Sequence, residues 1–320
     1  MRFMRYPQYS PSKKPTVITI GNFDGIHIGH QALINKVTTY ARINKLYSTV
    51  VTMQPSAVQY FRGNNTTTKL TAFRCKYQLL KELGVDIMCV LNFNSALAAY
   101  SPVEFIQRIL IDGLNARHII IGDDFKFGKN RAGDIHTLKD YCKPLGITIT
   151  AITTVTRDNI RVSSSSVRHS LANSDFQAVE ASLGRKFSIT GKVSKGNQLG
   201  RTLGFPTINL KLGTQAVPIN GVFCVTVRFN GGLEYFGAAS IGTRPTIKNK
   251  ANSRANILEV YILDFNKQIY GQNVEVLFHH KLRNEVEFDN LDELTRQINA
   301  DVVQTRLFFD NKLTEPLREQ

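Results

Sequence analysis

At 320 residues the chain is long for a single hydrophobic core, which predicts two domains. Its 42% apolar and 20% charged content is that of a globular protein, and no apolar run approaches the roughly 20 residues that span a bilayer, so no membrane partner is expected. The formal charge of +15, with 22 basic against 12 acidic residues up to Leu183 and 18 against 13 beyond it, favours an anionic partner, either a small substrate or nucleic acid.

Taken in chain order, Arg2, Arg5, Lys13 and Lys14 flank no apolar core, which argues against a secretory leader and for the cytoplasm. The β-branched run 17–20 reads as a short buried strand, and 21–25 supplies turn residues that let backbone approach a ligand. A helix follows from near Gly29. His27 and His30, three apart at its entry, face one ligand if the first turn is helical; a cap or core contact is the plainer reading. A strand, a glycine turn and a helix start, with its unpaired N–H groups, suit a phosphate.

Residues 31–44 read as helix and 47–53 as strand, beginning a β-α-β alternation that predicts a parallel sheet with ligands at the carboxyl ends of its strands. Gln54-Pro55-Ser56 breaks the chain and 62–68 is a polar loop. A helix at 71–83, ended by Gly84, and a strand at 86–91 come next. Ser101-Pro102-Val103-Glu104 has the form of a capping box and opens a helix to about Leu114. The strand 118–121 runs into a glycine-bounded loop, 122–134, with three acids, three bases, Phe125 and Phe127. A solvated turn has no need of two aromatics, whereas a loop that packs on a planar ring does. A helix at 135–145 and a strand at 148–155 precede Val162-Ser-Ser-Ser-Ser-Val-Arg168. That segment is either an overbuilt N-cap or a phosphate site of hydroxyls, amides and a guanidinium fork.

After a short helix at 174–183 the pattern changes to strands at 187–193, 221–230, 235–240, 256–263 and 274–282, closed by an amphipathic helix at 291–309. Short strands at that spacing predict an antiparallel barrel or sandwich. Its chemistry concentrates in 191–209, a glycine-rich stretch able to wrap a polyphosphate. Thr207 and Asn209, two apart in an extended segment, point the same way and suit a magnesium ion that keeps most of its waters, or are plain strand residues. Cys75, Cys89, Cys142 and Cys224 have no Cys-x-x-Cys spacing, which argues against disulfides and a zinc ribbon.

The stretch Gly21-Asn-Phe-Asp-Gly-Ile-His-Ile-Gly-His30 resembles the His-x-Gly-His signature of nucleotidylyltransferases. In its longer form it is similar to the bacterial bifunctional riboflavin kinase/FMN adenylyltransferases, or FAD synthetases. Residues 122–128 resemble that family's Gly-x-Asp-Phe-x-Phe-Gly loop. Residues 162–168 resemble its Ile-Ser-Ser-Thr-x-Ile-Arg segment, with Ser165 for Thr, while Thr52-Met-Gln-Pro-Ser-Ala57 departs from its aromatic- and histidine-containing one. Further on, 206–209 resembles a Pro-Thr-Ala-Asn motif with Ile208 for Ala, and 218–223 a Pro-x-x-Gly-Val-Tyr turn with Phe223 for Tyr. Residues 241–246 match Ile-Gly-x-Arg-Pro-Thr, with Ser240 where Asn is usual; 258–264 aligns with the strand of the catalytic glutamate; 282–288 resembles Leu-Arg-x-Glu-x-x-Phe.

The resemblance covers about residues 15–310 and implies a Rossmann-like α/β nucleotidylyltransferase domain, 1–183, followed by an antiparallel β-barrel riboflavin kinase domain with a C-terminal helix, 184–320. It implies ATP as co-substrate, Mg2+ as cofactor, and riboflavin, FMN and FAD as substrates and product. In the first domain His27, His30 and Arg168 would be catalytic. Gly21, Asn22, Phe23, Asp24, Gly25, Gly29, Asp124, Phe127, Gly128, Ser163, Ser164 and Ser165 would bind nucleotide, and Phe125 flavin. In the second, Glu259 would be the base and Thr207 and Asn209 would hold the metal. Gly191, Gly196, Gly200, Arg201, Gly204 and Pro206 would bind nucleotide, and Gly221, Phe223, Arg283, Glu285 and Phe288 flavin. A monomer or weak homo-oligomer without nucleic acid is expected. Two other classes stay open: a nucleotidylyltransferase for another phosphorylated substrate, and a nucleic-acid-binding protein, against which the dispersed basic residues argue.

Overall fold

The computed structural model describes residues 1–8, 12–63, 68–153, 156–157, 160–196, 199–212, 217–229, 232–243 and 256–314. Six parallel strands, β1 (Arg2–Tyr6), β2 (Thr16–Ile20), β3 (Tyr47–Met53), β4 (Ile87–Leu91), β5 (Ala116–Gly122) and β6 (Thr148–Ile152), form one sheet in the order β1-β4-β3-β2-β5-β6. Every residue of β2 and β4 is buried, as expected of inner parallel strands covered on both faces. From β2 the chain builds outward to β3 and β4, then returns to β2's other edge to place β5 and β6. The strand order therefore reverses between β2 and β5, the position at which open parallel sheets hold ligands.

The N-terminal segment, for which the sequence pattern predicts no element, contains the edge strand β1, paired in parallel with β4 from Arg2 opposite Ile87 to Tyr6 opposite Leu91. Only Met4 is buried, and an edge strand tolerates the exposed Arg2 and Arg5 that mask it in the sequence. The helix expected over 101–114 opens on the predicted capping box. Ser101 Oγ accepts from the Glu104 amide at 3.2 Å, and the helix passes from Pro102–Phe105 into a π-helical stretch, Ile106–Ile111. Between the break at 54–56 and the polar loop from 62, where the sequence pattern assigns no element, lies a helix, Ala57–Arg62, capped reciprocally by Ser56 and Gln59. A small hairpin, β7 (Thr156–Arg157) and β8 (Ile160–Arg161), follows the sheet.

The later strands, β9 (Ser188–Ser194), β10 (Thr207–Lys211), β11 (Gly221–Phe229), β12 (Glu234–Thr243), β13 (Asn256–Ile262) and β14 (Asn273–Arg283), close into an antiparallel barrel in the order β10-β13-β12-β11-β14-β9. The barrel, rather than a sandwich, removes every free edge. Phe223 and Phe278 meet edge-on at 5.4 Å in its core. The helix Leu291–Thr314 docks on the barrel by stacking Phe309 on Phe236 at 4.2 Å.

The chain folds as two compact units, Met1–Thr67 with Phe73–Ser166, and Thr68–Ala72 with Val167–Gln320. The helix Phe176–Leu183, which sequence pattern assigns to the first domain, buries Phe176, Val179 and Leu183 in the barrel's core. Among the described residues no helix is long and apolar enough to cross a membrane. Because Phe223 is 0% exposed, Phe223→Ala should lower the unfolding free energy in urea by about 3–5 kcal/mol, the cost of emptying a fully buried aromatic site.

Candidate active sites

The turn after β2 is forced into an unusual shape. Phe23 (φ 47°) and Ile26 (φ 44°) adopt the left-handed region, where a β-branched residue such as Ile is rare. Both side chains are buried, and Gln31 fixes the turn by donating from Nε2 to the Ile26 carbonyl at 2.9 Å. The helix Ile28–Ile43 then starts with His27 as its N-cap, whose Nδ1 accepts from the His30 amide at 3.4 Å. The two imidazoles stack at 3.7 Å, so the predicted pair does share one place.

His27 is 7% exposed, and burial, with the nearby Arg161 cation, holds its pKa down at about 4 despite Asp24. Burial, His27 and Lys76 press His30 in the same direction. Both rings are therefore neutral near pH 7. Since His27 Nδ1 accepts a hydrogen bond, its proton sits on Nε2, available to donate to an anion.

The serine segment meets this turn directly. Ser164 Oγ donates to the Asp24 carbonyl at 2.7 Å, tying the start of the helix Ser164–Ala172 to the glycine turn. Ser163 and Ser166 cap each other reciprocally, the Ser166 amide donating to Ser163 Oγ at 3.1 Å and the Ser163 amide to Ser166 Oγ at 2.9 Å; Ser165 is exposed. These bonds give the cap reading of the serine run a direct basis. Arg168 is placed with the second unit and donates from Nε to the Thr68 carbonyl at 2.7 Å. Asp124 is ion-paired with Arg161, a cation that no motif singled out and that only the hairpin brings to the turn.

Phe125 and Phe127 stack on each other at 5.4 Å, and Phe127 is buried in the sheet's core against Phe105. Gly128 (φ +72°) is required, because a Cβ there would lie 2.9 Å from the Pro102 nitrogen. Sequence reasoning missed a second aromatic group. Tyr60 and Phe61, on the helix after β3, surround Phe93, just beyond β4, with centroids 5.3 and 5.8 Å from it, and Phe61 is 69% exposed. The signal was present as Tyr60-Phe61 in an otherwise polar stretch.

In the barrel, β10 carries Thr207 and Asn209 opposite Tyr261 and Glu259 of β13, and Glu259 lies opposite Ser240 of β12. Three neighbouring strands thereby place Asn209, Glu259 and Ser240 in one row. The backbone at Gly196 lies so close to Asn209 that a Cβ would meet its Oδ1 at 2.5 Å. Part of the glycine signal in 191–209 therefore comes from packing against β10: at Gly191 a Cβ would lie 2.9 Å from the Leu210 side chain. Asn197 and Gln198 of that stretch, and Arg244-Pro245-Thr246, lie outside the described residues.

Two clefts meet at Thr207. One, of about 250 Å³, is lined by Thr207, Asn209, Glu259 and Gly200, and by Arg283, Glu285, Val286 and Phe288 with Leu294 and Ile298 of the last helix. Arg283 is held by a bidentate pair with the buried Asp301 (2.9 and 2.7 Å). Burial pushes the Glu285 carboxyl up, against the Ser240 hydroxyl and Arg283. The other cleft, of about 320 Å³, is lined by Thr207, Pro206, Arg201, Lys267, Phe265 and Tyr270. The stretch 265–270, which no motif flagged, offers aromatic faces and a cation. Gly204 (φ +87°) turns the chain into β10, and Gly221 opens β11. Phe223, expected on the flavin, fills the barrel core instead, its ring against Phe176 at 5.9 Å and Phe278.

Residues 9–166 match the FAD synthetase family and residues 183–309 the riboflavin kinase family. The chain is 40% identical to the bifunctional riboflavin kinase/FMN adenylyltransferase of Haemophilus influenzae over 92% of its own length and 94% of that relative's. It is 39% identical to that of Escherichia coli, with 94% of each covered. A crystal structure described as a macrolide-efflux protein from Streptococcus pneumoniae is 28% identical, with a TM-score of 0.79 over 95% of this chain and 98% of that one.

The histidine pair makes stability depend on pH. An unfolded His27 takes up its proton near pH 6.5 and the folded one only near 4, so stability is full above 6.5 and falls as pH drops through that window. His27→Asn keeps a capping oxygen and should flatten this slope in urea unfolding of the intact chain, one proton corresponding to about 1.4 kcal/mol per pH unit.

Proposed function

The chain belongs to the bifunctional riboflavin kinase/FMN adenylyltransferase family, phosphorylating riboflavin to FMN and adenylylating FMN to FAD, and we propose that the residues gathered at the two sites above carry these reactions. For the kinase, the observation that carries the assignment is that Thr207 lines both barrel clefts. Riboflavin occupies the cleft of Glu259, Glu285 and Phe288. ATP occupies the cleft of Arg201, Lys267, Phe265 and Tyr270, whose rings suit a purine and whose cations suit phosphates. The γ-phosphate then lies near Thr207, facing the ribityl 5′-hydroxyl.

Glu259 accepts the hydroxyl proton as the new O–P bond forms and the bond to the ADP oxygen breaks. No cluster of three or more His, Cys, Asp or Glu side chains able to hold a metal occurs among the described residues. The neutral oxygens of Thr207 and Asn209 fit Mg2+ only as a ligand set completed by phosphate and water. Bound there, Mg2+ would screen phosphate charge.

For the adenylyl transfer, a phosphate oxygen of FMN attacks the α-phosphorus of ATP and pyrophosphate leaves. The nucleophile is already an anion, so the chain's task is to stabilise charge at phosphorus. The neutral His27 and His30 donate hydrogen bonds there, the amides at the start of their helix add partial positive charge, and Arg161 supplies a full one. The Ser163–Ser165 hydroxyls border the site, with Arg168 four residues beyond Ser164 on the same helix. Phe61, Tyr60 and Phe93, at the carboxyl ends of β3 and β4, offer the flavin ring a stacking face. Four cysteines held as thiols fit a cytoplasmic enzyme, acting as a monomer or weak homo-oligomer.

Two variants separate the activities when flavins are resolved by chromatography. Glu259→Gln should lower FMN formation from riboflavin by about 10²–10⁴-fold and leave conversion of supplied FMN to FAD intact; a loss below tenfold would refute the base. Combined His27→Ala and His30→Ala should do the reverse, abolishing FAD while FMN still accumulates. Loss of both activities in that variant would point to misfolding instead.

A further inference from the structure

The last helix, Leu291–Thr314, borders the riboflavin cleft with Leu294, Ile298, Asp301 and Val302. It is fixed to the barrel on both sides of its midpoint. Asp301 holds Arg283, and Phe309 stacks on Phe236. Between these anchors Arg306 turns toward the other cleft and forms a two-pronged ion pair with Asp264, Nη1 to Oδ2 at 2.8 Å and Nη2 to Oδ1 at 2.7 Å. Asp264 lies just past β13, in the left-handed conformation (φ 53°), and is followed directly by Phe265 and the stretch that carries Lys267 and Tyr270.

We propose that Arg306 and Asp264 are a positioning pair for the kinase reaction, holding the 265–270 stretch so that it presents its aromatic and cationic side chains to ATP. The inference rests on the reading of that cleft as the nucleotide site. Neither residue lines either cleft, so their effect on the reaction is exerted through the loop. The fork geometry matters: a guanidinium that meets both carboxylate oxygens fixes direction as well as distance, which a point charge does not. The anchored helix supplies the rigid end of the clip, and the turn at Asp264 the adjustable one. The side chains are 46% and 73% exposed, so the pair is open to salt.

Arg306→Gln and Asp264→Asn test this in the full-length protein; asparagine tolerates the left-handed conformation, so the turn survives. Each should raise the kinase KM for ATP by about three- to fivefold, the range of a well-formed exposed ion pair, with KM for riboflavin and the FMN-to-FAD rate unchanged. The double variant should be no worse than either single one. In about 0.5 M KCl KM for ATP should rise in all three proteins as the Arg201 and Lys267 cations are screened, but more steeply in the wild type, so that its advantage over the variants shrinks. Additive effects, an unmoved KM for ATP, or an equal rise in KM for riboflavin would overturn the clip. Phe265→Ala separates the two levels of inference. If it raises KM for ATP while the clip variants do not, the nucleotide cleft stands and the clip falls; if it leaves KM for ATP unmoved, both fall.

Discussion

Burial of Phe23 and Ile26 holds the turn after β2 in a conformation that neither side chain adopts freely, at a cost on the order of 1–3 kcal/mol for each strained residue. The core they enter, with Ile34, Val50 and Met88, offsets that cost. Everything at the first site depends on it. The bent turn delivers His27 to the cap position of its helix, stacks His30 on it, and offers the Asp24 carbonyl to Ser164. Relaxation of the turn would separate these groups.

The barrel meets a related demand by another route. Its row of polar side chains lies on ordinary strands, and the tight approach comes from glycine: the chain passes over Asn209 at Gly196, where no side chain would fit. Closure of the barrel then brings β10, β13 and β12 into register, so that Asn209, Glu259 and Ser240 form a row that no local sequence rule links. In one unit, strain supported by burial shapes the backbone; in the other, absence of a side chain does.

Electrostatics separates the two sites as well. The histidine pair is kept neutral by burial and neighbouring cations, which suits donors to a phosphate whose nucleophile is already charged. In the barrel, Glu259 lies between neutral partners along its row, Asn209 on one strand and Ser240 on the other. Glu285, also facing that cleft, is pushed toward its neutral form by burial.

The order of elements was legible in the sequence, because apolar periodicity and glycine punctuation are local: the parallel α/β first half, the strand-rich second half, and the closing helix all follow from them. The histidine pair and the Thr207 and Asn209 spacing were legible for the same reason. The edge strand β1 was not, since arginines on an exposed edge look like a solvated leader. Nor was the position of Phe176–Leu183 in the barrel's core, because an amphipathic helix does not state which core it faces. Phe223 shows the same limit in reverse, an aromatic in a ligand-like motif whose ring is spent on packing. Arg161 beside the histidines, the Tyr60, Phe61 and Phe93 group, the meeting of two clefts at Thr207 and the Arg306–Asp264 pair join residues far apart in the chain. Sequence by itself determined which local structures form and which chemical groups they carry; only the tertiary structure decided which of those groups meet, because strand order and barrel closure are settled by long-range packing.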